Sequence, residues 1–315
     1  MKILLTGATG FIGSTLYKEL MLREHLVTRL VRYVSGGRYD FYDMENRIFA
    51  DLRDQSTTRR AVLDTAPDVI IHLAAQSAVS WSFKNPYEVT DVNLGGTQAL
   101  ADALVELGSG HFIMASTSEV YGAATEFPTP ETSRLGATSP YAVSKMAAEE
   151  YLRVLSKTQG LPITIMRPFN TYGRALIGNR HFVVERAITQ ALTEHKIHLY
   201  DSRPYRDFLF RDDHVNGYLH VLDNLKNVVG EEINIATGGC WSIKEMAETV
   251  GHYVQLATRQ TVEVDFSEVP DRPLDIMRLQ GDNKKARELI KWIPAYSFST
   301  GIQKAVEEWQ TVLSV

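Results

Sequence analysis

Thr6-Gly7-Ala8-Thr9-Gly10-Phe11-Ile12-Gly13 separates the compact apolar run Ile3–Leu5 from Ser14–Leu22, whose apolar residues recur at helical spacing. Glycines in this G-x-x-G-x-x-G arrangement permit a tight turn and let backbone approach a pyrophosphate. The helix that follows offers unpaired N–H donors and the positive end of its dipole. Alone the pattern is common; between a first strand and a first helix it reads as a dinucleotide-binding loop. Gly7, Thr9, Gly10, Phe11, Ile12 and Gly13 are therefore the first candidate cofactor contacts.

Outward from the loop, short apolar runs alternate with amphipathic stretches: Val27–Val31, Asp68–Leu73 (DVIIHL), His111–Ala115 (HFIMA) and Pro162–Met166 (PITIM), with helical Val92–Glu106 and Tyr141–Lys157 between them. Continuous apolar runs mark strands covered on both faces, and strand–helix alternation predicts a parallel sheet. The expected fold is α/β, a doubly wound parallel (Rossmann) sheet with a smaller C-terminal α/β region. After Arg167 the rhythm loosens: Asn170–Arg180 reads as turn-rich and polar, followed by helical Val183–His195, Asp212–Leu225, Ser242–Leu256, Asn283–Ile290 and Gly301–Leu313 and by strands Ile197–Tyr200 and Glu232–Ala236. No repeat or linker is evident, so the second region packs closely on the first. The expected division is 1–167 plus about 207–237 for the dinucleotide, and about 168–206 plus 238–315 for the substrate.

The composition excludes several classes. Of 315 residues, 44% are hydrophobic and 23% charged, as in an ordinary globular chain. Lys+Arg is 33 against Asp+Glu 38, a formal charge of −5, so no basic excess points to nucleic acid or an anionic membrane. Cys240 is the single cysteine, which excludes an intrachain disulfide and a Cys-rich metal site. No H-x-x-x-H or carboxylate cluster suggests a metal. No run reaches the ~18 apolar residues of a membrane span. Lys2–Leu5 reads as a buried strand rather than a signal peptide, and the expected location is cytoplasmic.

At the end of the second strand, an acid would bind ribose hydroxyls and a base a 2′-phosphate. No acid precedes Asp40, whereas Arg32, Ser35 and Arg38 are placed to grip a phosphate, so the charge pattern favours NADP over NAD. The alternative is a solvated basic face. Asp51 and Leu52, after the third strand, are expected at the adenine ring.

Ser139-Pro140-Tyr141-Ala142-Val143-Ser144-Lys145 contains Y-x-x-x-K, which puts Tyr141 and Lys145 on one helix face. A lysine there can lower the phenol pKa and hold the cofactor ribose, making Tyr141 a base toward a sugar hydroxyl. By itself this spacing fits any amphipathic helix. Ser116-Thr117-Ser118-Glu119-Val120-Tyr121-Gly122 strengthens it, placing hydroxyls and a carboxylate at the carboxyl end of a central strand, where open α/β sheets bind ligands. Thr117 is expected to hydrogen-bond the hydroxyl that Tyr141 deprotonates, and Glu119 to reach a neighbouring carbon. His72 and His111 read as packed or capped histidines, and Trp81 and Tyr87 as packing residues.

The glycine loop, HLAAQS (72–77), Asn93, STSEVYG (116–122), YxxxK, RPFNTYG (167–173) and RDFLFRDDH (206–214) follow the order found in extended short-chain dehydrogenase/reductases. Over nearly its whole length the chain resembles the nucleotide-sugar 4,6-dehydratase branch. STSEVYG and VRYVSGGR are similar to the GDP-mannose 4,6-dehydratases, although Arg174 stands where many relatives have Pro. The resemblance implies NADP, or NAD, tightly bound and recycled, with Leu73, Ala74, Ala75, Ser116 and Pro168 as further cofactor contacts. It implies a nucleoside-diphosphate sugar as substrate, held by Ser77, Thr117, Asn170, Arg206 and Arg272. It also implies catalysis by Thr117, Ser118, Glu119, Tyr141 and Lys145, with Ser118 relaying a proton for Glu119, and a homodimer or homotetramer. Arg206 and Arg272 would fork onto phosphate oxygens; their alternative is an ion pair with Asp207 or Asp271. A UDP-glucuronate decarboxylase, which would use Arg174 or Arg180 for the sugar carboxylate, a 4-epimerase and a 4-keto reductase are the competing enzymes. A non-catalytic NADP-binding regulator would be expected to lack Tyr141 or Lys145.

Overall fold

The computed structural model describes residues 1–32, 46–174, 182–267 and 275–313. Ser35, Arg38, Arg180 and Arg272 lie outside the described residues. The first half runs β1 (Lys2–Thr6), α1 (Phe11–Leu22), β2 (Leu26–Val31), β3 (Arg47–Phe49), α2 (Gln55–Thr65), β4 (Val69–His72), α3 (Val79–Lys84), α4 (Pro86–Thr90), α5 (Gly96–Leu107), β5 (His111–Ala115), α6 (Pro140–Gln159) and β6 (Ile163–Pro168). Then follow β7 (Asn170–Tyr172), α7 (Val183–Glu194), β8 (Lys196–Leu199), β9 (Tyr205–Arg206), β10 (Phe208–Phe210), α8 (Arg211–Asp223) and β11 (Glu231–Ile235). The remainder is β12 (Trp241–Ser242), α9 (Ile243–Thr258), β13 (Glu263–Phe266), β14 (Arg278–Leu279), α10 (Lys284–Ile290) and α11 (Phe298–Leu313).

The apolar runs become a seven-stranded sheet in the order β11-β6-β5-β4-β1-β2-β3, with every pair parallel. This is the expected doubly wound architecture. One face is covered by a core that joins Leu16 and Leu20 of α1 to Val215, Leu219 and Leu222 of α8 and Ala286 and Ile290 of α10. The other joins Ala61 and Val62 of α2 to Leu100 and Leu104 of α5 and Ala148 and Leu152 of α6. Strand order reverses between β1 and β4, so the carboxyl ends of these two strands open a crevice, with the glycine loop on one side and Leu73–Ser77 on the other. A third core gathers α7, α9 and α11 around Phe208, Phe210 and Phe298.

His72 and His111 behave as read: His72 bridges Thr6 and Thr97 (2.8 and 3.1 Å) and His111 meets Thr164 (2.8 Å), both buried. Tyr87 does not pack; it is 88% exposed, on the outer side of α4. Asn170–Tyr172, read as turn, is a three-residue strand paired in parallel with β10. The expected helix over Val92–Glu106 begins only at Gly96, after a π-turn over Asp91–Gly95. That turn aims Asn93 at the crevice loop, where its amide exchanges hydrogen bonds with Gln76 (2.8 and 3.2 Å) and donates to Ser144 (2.9 Å). Among the described residues no helix is long and apolar enough to cross a membrane.

Candidate active site

The glycine loop is fixed by contact as much as by turn geometry. Gly7 has φ +69°, and a Cβ there would lie 2.7 Å from the Ala74 amide nitrogen; one on Gly13 would lie 2.1 Å from the Gly7 carbonyl oxygen. Backbone thus touches backbone where α1 begins. Gly10 caps α1 with no side-chain acceptor, leaving the first-turn amides for a ligand. Gly13→Ala is expected to push α1 off the loop at a cost of about 1–3 kcal/mol and to weaken dinucleotide binding at least ~10-fold. Thermal melts with and without dinucleotide check this; an unchanged ligand-induced shift contradicts it.

The loop, Leu73–Ser77, the end of β5, the start of α6 and β7 line one cleft of about 720 Å³. Every described candidate residue lies on it: Gly7, Thr9, Gly10, Phe11, Ile12 and Gly13; Arg32, Asp51 and Leu52; Leu73, Ala74, Ala75 and Ser77; Ser116, Thr117, Ser118 and Glu119; Tyr141 and Lys145; Pro168, Asn170 and Arg206. Arg32 is exposed at the end of β2. Both oxygens of Asp51 already accept from the Arg53 guanidinium (3.0 and 2.6 Å), and these bonds hold the carboxyl below its usual range. Any adenine contact by Asp51 uses its remaining lone pairs.

Thr117, at the end of β5, caps a single 3-10 turn, Ser118–Tyr121, by accepting the Glu119 N–H (3.2 Å). The cap turns Glu119 back against the protein, 8% exposed. Ser139 caps α6 through Ala142 N (3.1 Å) and Pro140 occupies its first turn, which sets Tyr141 and Lys145 on the cleft side, 8% and 1% exposed. The Thr117 hydroxyl hydrogen-bonds the Tyr141 phenol, and Glu119 is close enough for its charge to act on it.

The electrostatics differ from expectation. Burial pushes the Tyr141 phenol well above its ordinary value; the Thr117 bond opposes this, the Glu119 charge adds to it, and no lowering comes from Lys145. Lys145 instead donates to the Ala115 carbonyl (2.7 Å). Burial brings its ammonium down to about 8, with the Glu149 charge opposing. Protein groups alone therefore do not make a tyrosinate. Ser116 departs as well: its hydroxyl donates to buried Glu149, away from the cleft.

Glu149 stands one helical turn beyond Lys145 and accepts from Arg167 (3.0 and 2.6 Å) and Arg153 (2.8 Å). Burial raises its carboxyl, but the Arg167, Ser116 and Arg153 interactions outweigh that and hold it low. Arg167 also donates to Tyr121, whose hydroxyl donates to Asn234 (3.0 and 2.7 Å). The recurrence Tyr141, Lys145, Glu149 every four residues was the available signal for this support. Glu149→Gln leaves two guanidiniums facing a neutral amide and is expected to destabilise the fold by about 3–5 kcal/mol. Urea unfolding checks this; a loss below ~1 kcal/mol would mean the ion pair contributes little.

On the substrate side, the Asn170 side-chain oxygen is buried with no hydrogen-bond partner. Arg206 is paired, though not with Asp207: it reaches Asp275 (2.7 Å) and the Ile276 carbonyl (2.7 Å), and Asp271 lies outside the described residues. Asp207 turns the other way, accepting from Thr237 and Gly238. Sequence reasoning also passed over Glu185, His214 and Tyr218, all on the cleft wall. Burial pushes the Glu185 carboxyl up to about 8, against its own amide and that of Gly173, which donates to it (2.8 Å). No group of three side chains suited to hold a metal occurs among the described residues.

An uncapped helix start, a glycine loop pressed on the neighbouring strand and a hydroxyl–phenol–carboxylate group at the sheet's carboxyl edge define the dinucleotide-binding α/β enzymes of the extended short-chain dehydrogenase/reductase type. Residues 4–305 match the GDP-mannose 4,6 dehydratase family, and the chain belongs to it. It is 31% identical over 315 residues to a UDP-glucose 4-epimerase of Mycolicibacterium smegmatis, covering 98% of each chain. It is 32% identical to a UDP-N-acetyl-alpha-D-glucosaminuronate decarboxylase of Bacillus cytotoxicus, covering 99% of this chain and 98% of that one. Its fold is similar to that of a dTDP-glucose 4,6-dehydratase from Streptomyces venezuelae solved with NAD and TYD bound: TM-score 0.85, 26% identity, 99% of this chain and 97% of that one. Relatives near 30% identity thus divide among epimerases, decarboxylases and dehydratases.

Proposed function

We propose that the protein is a nucleotide-sugar 4,6-dehydratase, converting a nucleoside-diphosphate hexose to the 4-keto-6-deoxyhexose and water. The observation that carries this is the buried Glu119 carboxyl, in the turn that Thr117 caps and near enough to the Tyr141 phenol for its charge to act on it. Tyr141 takes the proton of the 4-hydroxyl, with Thr117 orienting that oxygen. A C4 ketone makes the C5 proton acidic, since its loss gives an enolate. Glu119 removes it, and with Ser118 delivers a proton to the C6 oxygen as the C6–O bond breaks. A nicotinamide dinucleotide held by Gly7–Gly13 and Leu73–Ala75 would supply the hydride acceptor for C4 and the donor for C6, ending unchanged, while C5 regains a proton from solvent by way of Glu119. Lys145 would hold the cofactor ribose; since the protein raises the phenol pKa and Lys145 does not lower it in the protein alone, loss of the phenol proton would depend on the bound cofactor.

The loop residues Gly7–Gly13, with Leu73–Ala75 and Pro168, would hold the dinucleotide, and Arg32 would meet a 2′-phosphate. We infer NADP from that basic strand end, with NAD, present in the S. venezuelae relative, as the other choice; dissociation constants for the two decide it. Ser77, Asn170 and Arg206 would hold the nucleotide sugar, GDP-mannose being the first to test. The segments 1–167 and about 207–237 would carry the dinucleotide and the remainder the sugar nucleotide, in a cytoplasmic homodimer or homotetramer.

A decarboxylase would keep Tyr141, Lys145 and Glu119 but would need a cation for the sugar carboxylate. Of the two arginines the sequence offered for that role, Arg174 does not line the cleft and Arg180 lies outside the described residues. Incubation with GDP-, UDP-, dTDP- and CDP-sugars separates the readings by product mass: loss of water for a dehydratase, loss of carbon dioxide for a decarboxylase, no change for an epimerase. Loss of carbon dioxide from a hexuronate, with no dehydration of any hexose, would overturn the proposal.

A further inference from the structure

We infer that His214 and Tyr218 form a paired acceptor and donor for a primary carboxamide, the ring substituent of the nicotinamide dinucleotide. This rests on the cofactor half of the proposed function and gives a role to two residues, His214 at the end of the RDFLFRDDH stretch and Tyr218 beyond it, to which neither the motifs nor the comparisons give one.

The two side chains stand four apart on α8, their rings near-parallel with centroids 5.4 Å apart. His214 is 5% exposed and Tyr218 fully buried, yet both line the cleft. His214 Nε2 and the Tyr218 hydroxyl are each buried with no hydrogen-bond partner. Leaving such groups unpaired costs about 1–3 kcal/mol apiece. Leu or Phe would pack the same space without that cost, so packing does not account for them.

Their hydrogen-bonding polarity follows from the neighbours. We assign the Thr171 hydroxyl proton to the Phe169 carbonyl (3.1 Å), so that its oxygen accepts from His214 Nδ1 (2.9 Å). Nδ1 therefore carries the proton. Burial drives the imidazole pKa down to about 3, so the ring is neutral and Nε2 is a bare acceptor. Burial also keeps the Tyr218 phenol protonated, a donor, with Tyr141 close enough to act on it. A primary carboxamide offers one N–H donor set and one carbonyl acceptor, the complement of this pair. A phosphate offers acceptors only and would leave Nε2 unpaired.

Position agrees. Arg32 and Asp51 lie at the β2–β3 side of the sheet, whereas Thr171 follows β6, on the other side of the glycine loop. A dinucleotide with its adenosine at β2 must place its other ring on the β5–β6 side. There it faces the sugar carbon whose hydroxyl Tyr141 takes.

The test is calorimetric titration of the full chain, without sugar, using NAD and NADP, each against its 3-acetylpyridine analogue. In the analogue a methyl replaces the amide NH2 and the carbonyl is kept. The protein is expected to bind the carboxamide form about tenfold more tightly. His214→Leu should weaken that form about tenfold and leave the analogue unchanged, while Tyr218→Phe should weaken both alike. Merely structural roles would move both forms together in both variants. Equal affinity of the unsubstituted protein for both forms overturns the inference even if a variant fails to fold, and would also be the result if the pair met a sugar hydroxyl instead. Failure of every dinucleotide to bind overturns the cofactor reading along with it.

Discussion

Tyr141→Phe is expected to lower turnover by between ~100-fold and ~10,000-fold, the range of a lost general base, while sugar-nucleotide binding changes little. The side chain is 8% exposed on the cleft-facing turn of α6, and a phenyl ring fills the same space, so the fold should be kept. The lost oxygen is the one that Thr117 hydrogen-bonds and the Glu119 charge acts on. Because burial raises the phenol pKa and Lys145 does not lower it in the protein alone, its base strength at neutral pH would have to come from a bound oxidised nicotinamide, which Lys145 would hold by the ribose. Lys145→Met should therefore lose nearly as much as Tyr141→Phe, and the double variant little more than either, as in groups that act as a unit. Multiplicative losses in the double variant would show that the two do not work together.

Glu119→Gln is the second large effect, and it separates the steps. Oxidation at C4 does not need the carboxylate, so a transient 4-ketone should still form. Elimination should fall by ~100-fold to ~10,000-fold, and solvent deuterium should cease to enter at C5. Gln is nearly isosteric, and the cap that positions residue 119 is made by its backbone N–H to Thr117, so geometry should survive. Elimination at the unsubstituted rate in this variant would remove Glu119 from the mechanism and leave the STSEVYG turn as a structural feature.

The sheet was readable where strands are covered on both faces. Ile3–Leu5, Val69–His72, Phe112–Met114 and Ile163–Met166 are buried throughout, and apolar but for His72 and Thr164, because helices lie above and below them. The parallel pair β7–β10 was not readable: Asn170-Thr171-Tyr172 is too short for a period and carries polar groups that serve the cleft. The helix α2, capped by Asp54 on its polar first turn, gave only a weak apolar stripe through Ala61 and Val62. Of the site, the residues that meet at the cleft could be collected from motifs, because each motif sits at a strand end or a first helical turn. Their partners could not. Arg206 finds Asp275 rather than its neighbour Asp207, and Ser116 turns to Glu149, since such choices depend on which loops the fold stacks together. The tautomer of His214 is likewise fixed only by Thr171, across two elements.

Transient oxidation of the sugar at C4, followed by return of the same hydride at C6, is the centre of the account. Incubating the protein with GDP-mannose and other nucleoside-diphosphate hexoses, each deuterated at C4, and examining the product by NMR tests it most directly. The account predicts deuterium in the C6 methyl group, transferred within one molecule. Deuterium retained at C4, or washed out to solvent with none at C6, would contradict it.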